Sequence, residues 1–223
     1  KLVYISSVAA LGRSKKSAFI NEQNKWVSSS LNTNYAISKY LAEKHVWRGQ
    51  NEGLNTVIVN PSIILGAGYW DKGSSSLFKQ VHKGVPMYPP GKNGVVDVRD
   101  VAELSVLLMQ NSITNERFIC NGANISYKEL FQSMAAKMKV RSPKKAMNKW
   151  MGSLVWRLFW VRSFFNGKRA SITRESIRTS FNTYSYDNSK SLEKLDFEYR
   201  EIENTLSDTC KAYLDSLSSG KDH

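Results

Sequence analysis

The sequence predicts an α/β chain: the C-terminal part of a doubly wound parallel sheet, joined to a smaller and mostly helical lobe. Three observations carry this. An apolar run, a helix-length stretch and a second apolar run follow one another within about sixty residues, the order of a βαβ unit. Shorter strand and helix patterns alternate as far as about Met138. Helical patterns then dominate, except around Tyr184–Tyr186.

The elements follow in order. Leu2–Ser7 is β-branched and aromatic, and reads as a strand. Lys1 is not Met, and a buried strand at the second residue predicts that earlier strands of the domain lie upstream. Gly12 to about Ser30 is a polar loop, whose Arg13, Lys15 and Lys16 read as a solvated lid, with substrate contact as the alternative. Asn34–Gly49 is a helix, with Ala36, Tyr40, Leu41, Val46 and Trp47 as candidate packing residues. Asn55–Ser62 is a strand apolar on both faces, as in a parallel sheet with a right-handed crossover. A Gly/Ser-rich loop, Gly66–Ser76, leads to a helix over Leu77–Lys83. Val95–Asp97 is a strand, and Asp100 is the expected N-cap of a helix over Val101–Gln110. Arg117–Cys120 is a further strand. Ser126, three residues before Glu129, opens a helix to Met138 with a capping-box pattern.

Composition excludes several classes. Apolar residues make up 41% and charged residues 23%, enough to bury a core and too apolar for wholesale disorder. No apolar run reaches the length of a membrane-spanning helix. No signal-peptide pattern opens the sequence, so a cytoplasmic setting is expected, with peripheral membrane contact as its variant. Two cysteines and three scattered histidines predict neither a disulfide framework nor a metal site. The net charge of +13 is concentrated: Lys137–Arg178 holds twelve Lys or Arg against one acid, Glu175.

Tyr35 and Lys39 carry the chemistry. Their spacing of four puts both on one helical face. A phenol is a poor proton donor at neutral pH, and a nearby ammonium favours its ionised form. The pair suits protonation of a carbonyl oxygen or deprotonation of an alcohol. Ser7 stands at the carboxyl end of the first strand, where ligands sit in such sheets, and its hydroxyl suits a developing oxyanion. A surface Tyr/Lys pair is the plain alternative.

The blocks YISSVAALG (Tyr4–Gly12), NYAISKYLAEKHVWRG (Asn34–Gly49), VIVNPSIILGAG (Val57–Gly68) and VDVRDVAEL (Val96–Leu104) occur in order. Together they resemble the extended short-chain dehydrogenase/reductases, the NAD-dependent epimerase/dehydratase superfamily. The likeness returns at Tyr184–Tyr199. Asn60-Pro61-Ser62 and the Ala-Glu-Lys continuation of the helix look like the dihydroflavonol-4-reductase-like branch. The resemblance implies a Rossmann-type domain whose C-terminal part is residues 1–66, and a substrate lobe over 67–223. Sheet-edge elements at about 94–122 and a basic aromatic helical segment at 144–169 would interrupt that lobe. It implies Ser7, Tyr35 and Lys39 as catalytic residues. Ser6, Tyr35, Lys39, Pro61, Ser62 and the backbone near Ile64 would contact NAD or NADP, with NADP favoured. Substrate contacts would come from Ala9, Ala10, Tyr69, Trp70, Ser74, Ser75 and Ser76, with plain loop packing as the alternative for each. Asp97 and Asp100 read as structural.

The family's opening Gly-rich turn has no counterpart here. Gly66-Ala67-Gly68 follows the wrong strand, with Asp71 in place of a third Gly. The resemblance therefore implies a missing N-terminal nucleotide-binding half as the first partner, an inactive segment without it, and a homodimer formed through the Tyr35 helix. The implied reaction is hydride transfer between NAD(P) and a small ketone, aldehyde or secondary alcohol. The alternatives are a sugar-nucleotide epimerase or dehydratase, or a non-catalytic relative that binds a partner or a membrane surface.

In Lys144–Arg169, Trp150, Leu154, Leu158, Val161 and Phe165 form one apolar stripe, and Trp156, Trp160 and Phe164 a second. Arg157 and Arg162 interrupt them; Lys144, Lys145, Lys149, Lys168 and Arg169 flank them. Burial of both stripes is the plain reading. A membrane-surface helix is the second. Nucleic acid is disfavoured because no recognised binding motif accompanies the charge.

Overall fold

The computed structural model describes residues 1–12, 19–166 and 173–219. Arg13, Lys15, Lys16, Lys168 and Arg169, and the side chains of Arg162 and Phe164, lie outside what is described. In chain order the first elements are β1 (Leu2–Ile5), β2 (Phe19–Ile20), α1 (Asn34–Asn51), β3 (Thr56–Pro61), β4 (Ile63–Leu65), α2 (Ser76–His82), β5 (Met87–Tyr88), β6 (Lys92–Asp97) and α3 (Val98–Gln110). Then come β7 (Glu116–Cys120), β8 (Ala123–Ser126), α4 (Tyr127–Lys137), β9 (Lys145–Ala146), α5 (Lys149–Asn166), α6 (Arg174–Ser180), β10 (Ser185–Tyr186), α7 (Ser189–Leu195) and α8 (Ile202–Ser218). The α/β class with a parallel sheet is as expected.

The chain forms two compact units. The first comprises Lys1–Ile64, Gly94–Asn124 and Tyr184–Ile202. Its main sheet has the order β1-β3-β7, parallel throughout, with Val57 between Val3 and Glu116 in register. Every residue of β3 is buried, which its two-sided apolar pattern requires. Val57, Val59, Phe118 and Cys120 form a core with Val96, Leu104 and Leu108. Burial pushes the Cys120 thiol up to about 12, which makes it an inert packing group. A second cluster joins Val8, Leu11 and Ile20 to Ile119, Tyr184 and Tyr186. The strand β2 was not foreseen: its two residues pair in parallel with β10 across a long stretch of chain.

Two local expectations are corrected. Asp97, not Asp100, caps α3, accepting from the Arg99 amide at 2.7 Å. Asp100 is fully buried instead, where it pairs with Arg200. Burial raises the Asp100 carboxyl above its ordinary value, against the pull of that guanidinium. Leu41 is exposed on α1, while Glu43 takes a buried position on the same helix.

The second unit comprises Leu65–Asn93, Ile125–Thr183 and Glu203–His223. The Ser126–Glu129 capping box opens α4 as expected. Helix α2 packs on α4, and α5 on α6. Gly91 has no room for a side chain, because a Cβ there would collide with the carbonyls of Ser180 and Asn182.

Candidate active site

Residues at the carboxyl end of β1 begin the site. Ser6 is buried, and the next residue, Ser7, caps a 3-10 turn over Val8–Leu11. The Ser7 hydroxyl accepts from the Ala9 amide at 3.2 Å. Short polar side chains take this position because they satisfy an amide that the turn leaves free.

Helix α1 brings Tyr35 and Lys39. Thr33 starts it, accepting from the Ala36 amide at 3.1 Å. The helix packs against the turn that Ser7 opens. Lys39 lies back toward β1: its Nζ donates to the Ile5 carbonyl at 3.4 Å and stands 5.7 Å from the Tyr4 ring centroid. Tyr35 is 54% exposed. No hydrogen bond joins the Ser7, Tyr35 and Lys39 side chains to one another among the described residues. The elements that carry them are packed together, and each side chain is held by other partners or by none among the described residues.

Strand β3 ends at Pro61 and is followed by Ser62, both buried. The Ser62 amide donates to the Cys120 carbonyl at 3.0 Å. Ile64 is half-buried and packs its side chain against the core of this unit.

A buried hub absent from the sequence reading ties these parts together. The Asn60 amide uses both protons, one on the Ser7 carbonyl at 2.9 Å and one on Glu43 Oε1 at 2.6 Å. Glu43 is buried and stands 3.8 Å from the Arg117 guanidinium. Arg117 in turn donates to the carbonyls of Glu22 and Asn24, both at 2.9 Å. Glu43 lies four residues after Lys39 and eight after Tyr35, so the three share one side of α1. That spacing was the available signal: a carboxylate continuing the Tyr35–Lys39 face.

The expected substrate residues fall into two groups. Ala9 and Ala10 are buried in the 3-10 turn. Tyr69, Trp70 and Ser74–Ser76 belong to the second unit. Trp70 is buried there, edge-on to Phe78 and Tyr213 with centroids 6.3 and 5.1 Å apart. Tyr69 is exposed. Ser75 and Ser76 donate to the carbonyls of Gly66 and Gly73, at 3.3 and 2.7 Å, so those hydroxyls shape the loop before α2. Ser74 is half-buried, and its carbonyl accepts from the Leu77 amide at 3.0 Å.

The Ser7 turn and the Tyr35–Lys39 helix meet at the carboxyl end of β1, the end of a parallel sheet at which doubly wound folds bind ligands. Residues 1–120 match the family model of the NAD dependent epimerase/dehydratase family, and the chain belongs to that family. It is 27% identical over 219 residues to a Synechocystis protein provisionally named dihydroflavonol 4-reductase, covering 93% of this chain and 62% of that one. It is 32% identical over 107 residues to tetraketide alpha-pyrone reductase 2 of Arabidopsis thaliana, covering 46% of this chain and 33% of that one. The crystal structure of gox2253 superposes with a TM-score of 0.75 at 26% identity, over 96% of this chain and 66% of that one. The chain thus spans about 62% of the length of its Synechocystis relative. The reductase names agree with the branch that Asn60-Pro61-Ser62 resembles.

The residues present fit a nicotinamide cofactor. The hydroxyls of Ser6 and Ser62 and the Oδ1 of Asn60 are buried without a hydrogen-bond partner among the described residues. They stand at the carboxyl ends of two adjacent parallel strands. Buried polar atoms left unsatisfied are costly, and a polar ligand at the strand ends would satisfy them.

Proposed function

We propose that the whole protein is an NAD(P)-dependent reductase or dehydrogenase. It reduces a ketone or aldehyde, or oxidises a secondary alcohol, and releases the product free. The observation that carries this reading is the packing of the Tyr35–Lys39 helix onto the turn that Ser7 opens, at the end of β1. The reductase names of the relatives support it.

Ser6, Tyr35, Lys39, Pro61, Ser62 and the Ile64 backbone would hold the cofactor. When bound, that cofactor supplies or accepts the hydride at the carbonyl carbon. In the reducing direction the Tyr35 hydroxyl gives its proton to the carbonyl oxygen. The Lys39 ammonium stabilises the phenolate left behind. Ser7 donates a hydrogen bond to the oxygen as negative charge develops. Asn60 and Glu43 position Ser7 and α1. NADPH is proposed ahead of NADH, on the resemblance to the reductase branch.

The test uses the whole protein with deuterium at C4 of NADPH or NADH and a panel of aromatic and aliphatic ketones. Deuterium on the carbinol carbon of a released alcohol is the expected result. An epimerised or dehydrated product from a sugar nucleotide, with no net cofactor oxidation, would refute the reductase reading. Label transfer that survives Tyr35→Phe unchanged would refute the role of Tyr35.

A further inference from the structure

Helix α5 is built differently from the other helices of its unit. At about 100° per residue, Trp150, Leu154, Leu158, Val161 and Phe165 fall within a sector of roughly 80°. All five are exposed, Trp150 by 73% and Phe165 by 80%. The stripe runs roughly 22 Å along the helix. Gly152 lies on the opposite side, where its Cα is so close to α6 that a Cβ would stand 2.9 Å from both Ile177 and Phe181. The α6 contact therefore holds the back of α5 and turns the apolar stripe outward. Continuous apolar stripes on a protein surface mark places of interaction.

Charge identifies what the stripe meets. No Asp or Glu occurs between Glu129 and Glu175. Lys144 and Lys145 are exposed just before α5 and Lys149 at its first position, and exposed Arg157 borders the stripe with its guanidinium 5.0 Å from the Trp156 ring centroid. Arg141, Lys144 and Lys145 also line a cleft of about 320 Å³ beside Pro86. An apolar face bordered by cations, with Trp at one end, matches the interface of an anionic bilayer. Among the described residues no helix is long and apolar enough to cross a membrane, so α5 would lie along the surface. A nucleic-acid face would place its cations within the stripe, and Leu154, Leu158 and Val161 offer bases nothing to stack on.

We propose that α5 docks the protein on an anionic phospholipid surface, with the Trp150–Phe165 stripe in the interface and Lys144, Lys145 and Lys149 on the headgroups. This stands apart from the reductase reading, and either can fail without the other.

The experiment is co-sedimentation of the whole protein with phosphatidylcholine vesicles, with and without phosphatidylserine. Binding is expected with phosphatidylserine and is expected to weaken as salt is raised. Replacing all three lysines by glutamine should weaken it on the order of a hundredfold, at about fivefold per lysine. Trp150→Ser with Leu158→Ser should abolish it, while Val106→Ser, an exposed apolar control on α3, should leave it unchanged. Unfolding curves of each variant show whether it folds. No binding to either vesicle would overturn the proposal, as would folded stripe variants that bind like the parent. Loss of self-association in the stripe variants, with no lipid binding by the parent, would make a second copy the occupant and would also overturn it.

Discussion

Helices α1 and α5 are both 18 residues long, and they distribute their side chains in opposite ways. Helix α1 buries a carboxylate, Glu43, beside Ala36 and Val46, and leaves Tyr35, Ile37 and Leu41 exposed. Helix α5 buries a glycine and exposes Trp and Phe. Side-chain type decides neither case. Glu43 is inside because Asn60 and Arg117 meet it there, and a buried charge with partners is tolerable. Gly152 is inside because α6 approaches too closely for anything larger. The partner waiting at each position sets the outcome, and the two helices have unlike partners: a parallel sheet with a polar hub for one, a short basic helix for the other.

The largest expected effect is at an exposed residue of α1. Tyr35→Phe in the whole protein should lower turnover by roughly 10²–10⁴-fold, the usual contribution of a positioned proton donor. Its unfolding midpoint should not move, because the hydroxyl makes no hydrogen bond among the described residues. A drop in stability matching the drop in rate would mean that Tyr35 is structural, and the contrast with α5 would blur.

Next comes the buried carboxylate two turns further along the same helix. Glu43→Ala removes one of the two acceptors of the Asn60 amide and leaves the Arg117 guanidinium without its carboxylate, and should cost about 3 kcal/mol in urea unfolding. Glu43→Gln keeps an oxygen for Asn60 and should recover part of that. If Glu43→Ala unfolds like the parent, the hub does not hold α1.

The buried side of α5 should respond more weakly. Gly152→Ala forces a methyl against Ile177 and Phe181, and those side chains can shift, so a loss of about 1 kcal/mol is expected. A stabilised variant, with the helix-favouring Ala prevailing, would show that α5 and α6 are loosely packed.

The smallest effect is on the exposed side of α5. Trp150→Ser with Leu158→Ser should change folding stability by less than about 0.5 kcal/mol, since neither is a core residue. A large loss would mean that the stripe is covered within the protein, and the two helices would then be alike.

What could be read from residues alone follows the range of the interactions involved. The strands β1, β3 and β7, the helix α1 and the capping box of α4 rest on local patterning and neighbouring residues, and all were legible. So was the placement of Tyr35 and Lys39 on one helical face, which needs only helical spacing. The strand β2 was not legible, because Phe19–Ile20 is too short to carry a pattern and is defined by pairing with Ser185–Tyr186. The cap of α3 was misplaced because Asp97 and Asp100 are both suitable residue types. Arg200, a hundred residues further on, claims Asp100.

The sequence by itself determined the α/β class, the order of its elements and the residue types of the candidate site, because periodicity and caps are short-range physics. Only the tertiary structure decided that Glu43 is buried and joined through Asn60 to Ser7. It alone decided that Trp70 is buried against Phe78 and Tyr213 and that the Trp150 stripe faces outward. Each of those depends on which surface arrives opposite a residue, and residues distant along the chain supply that surface.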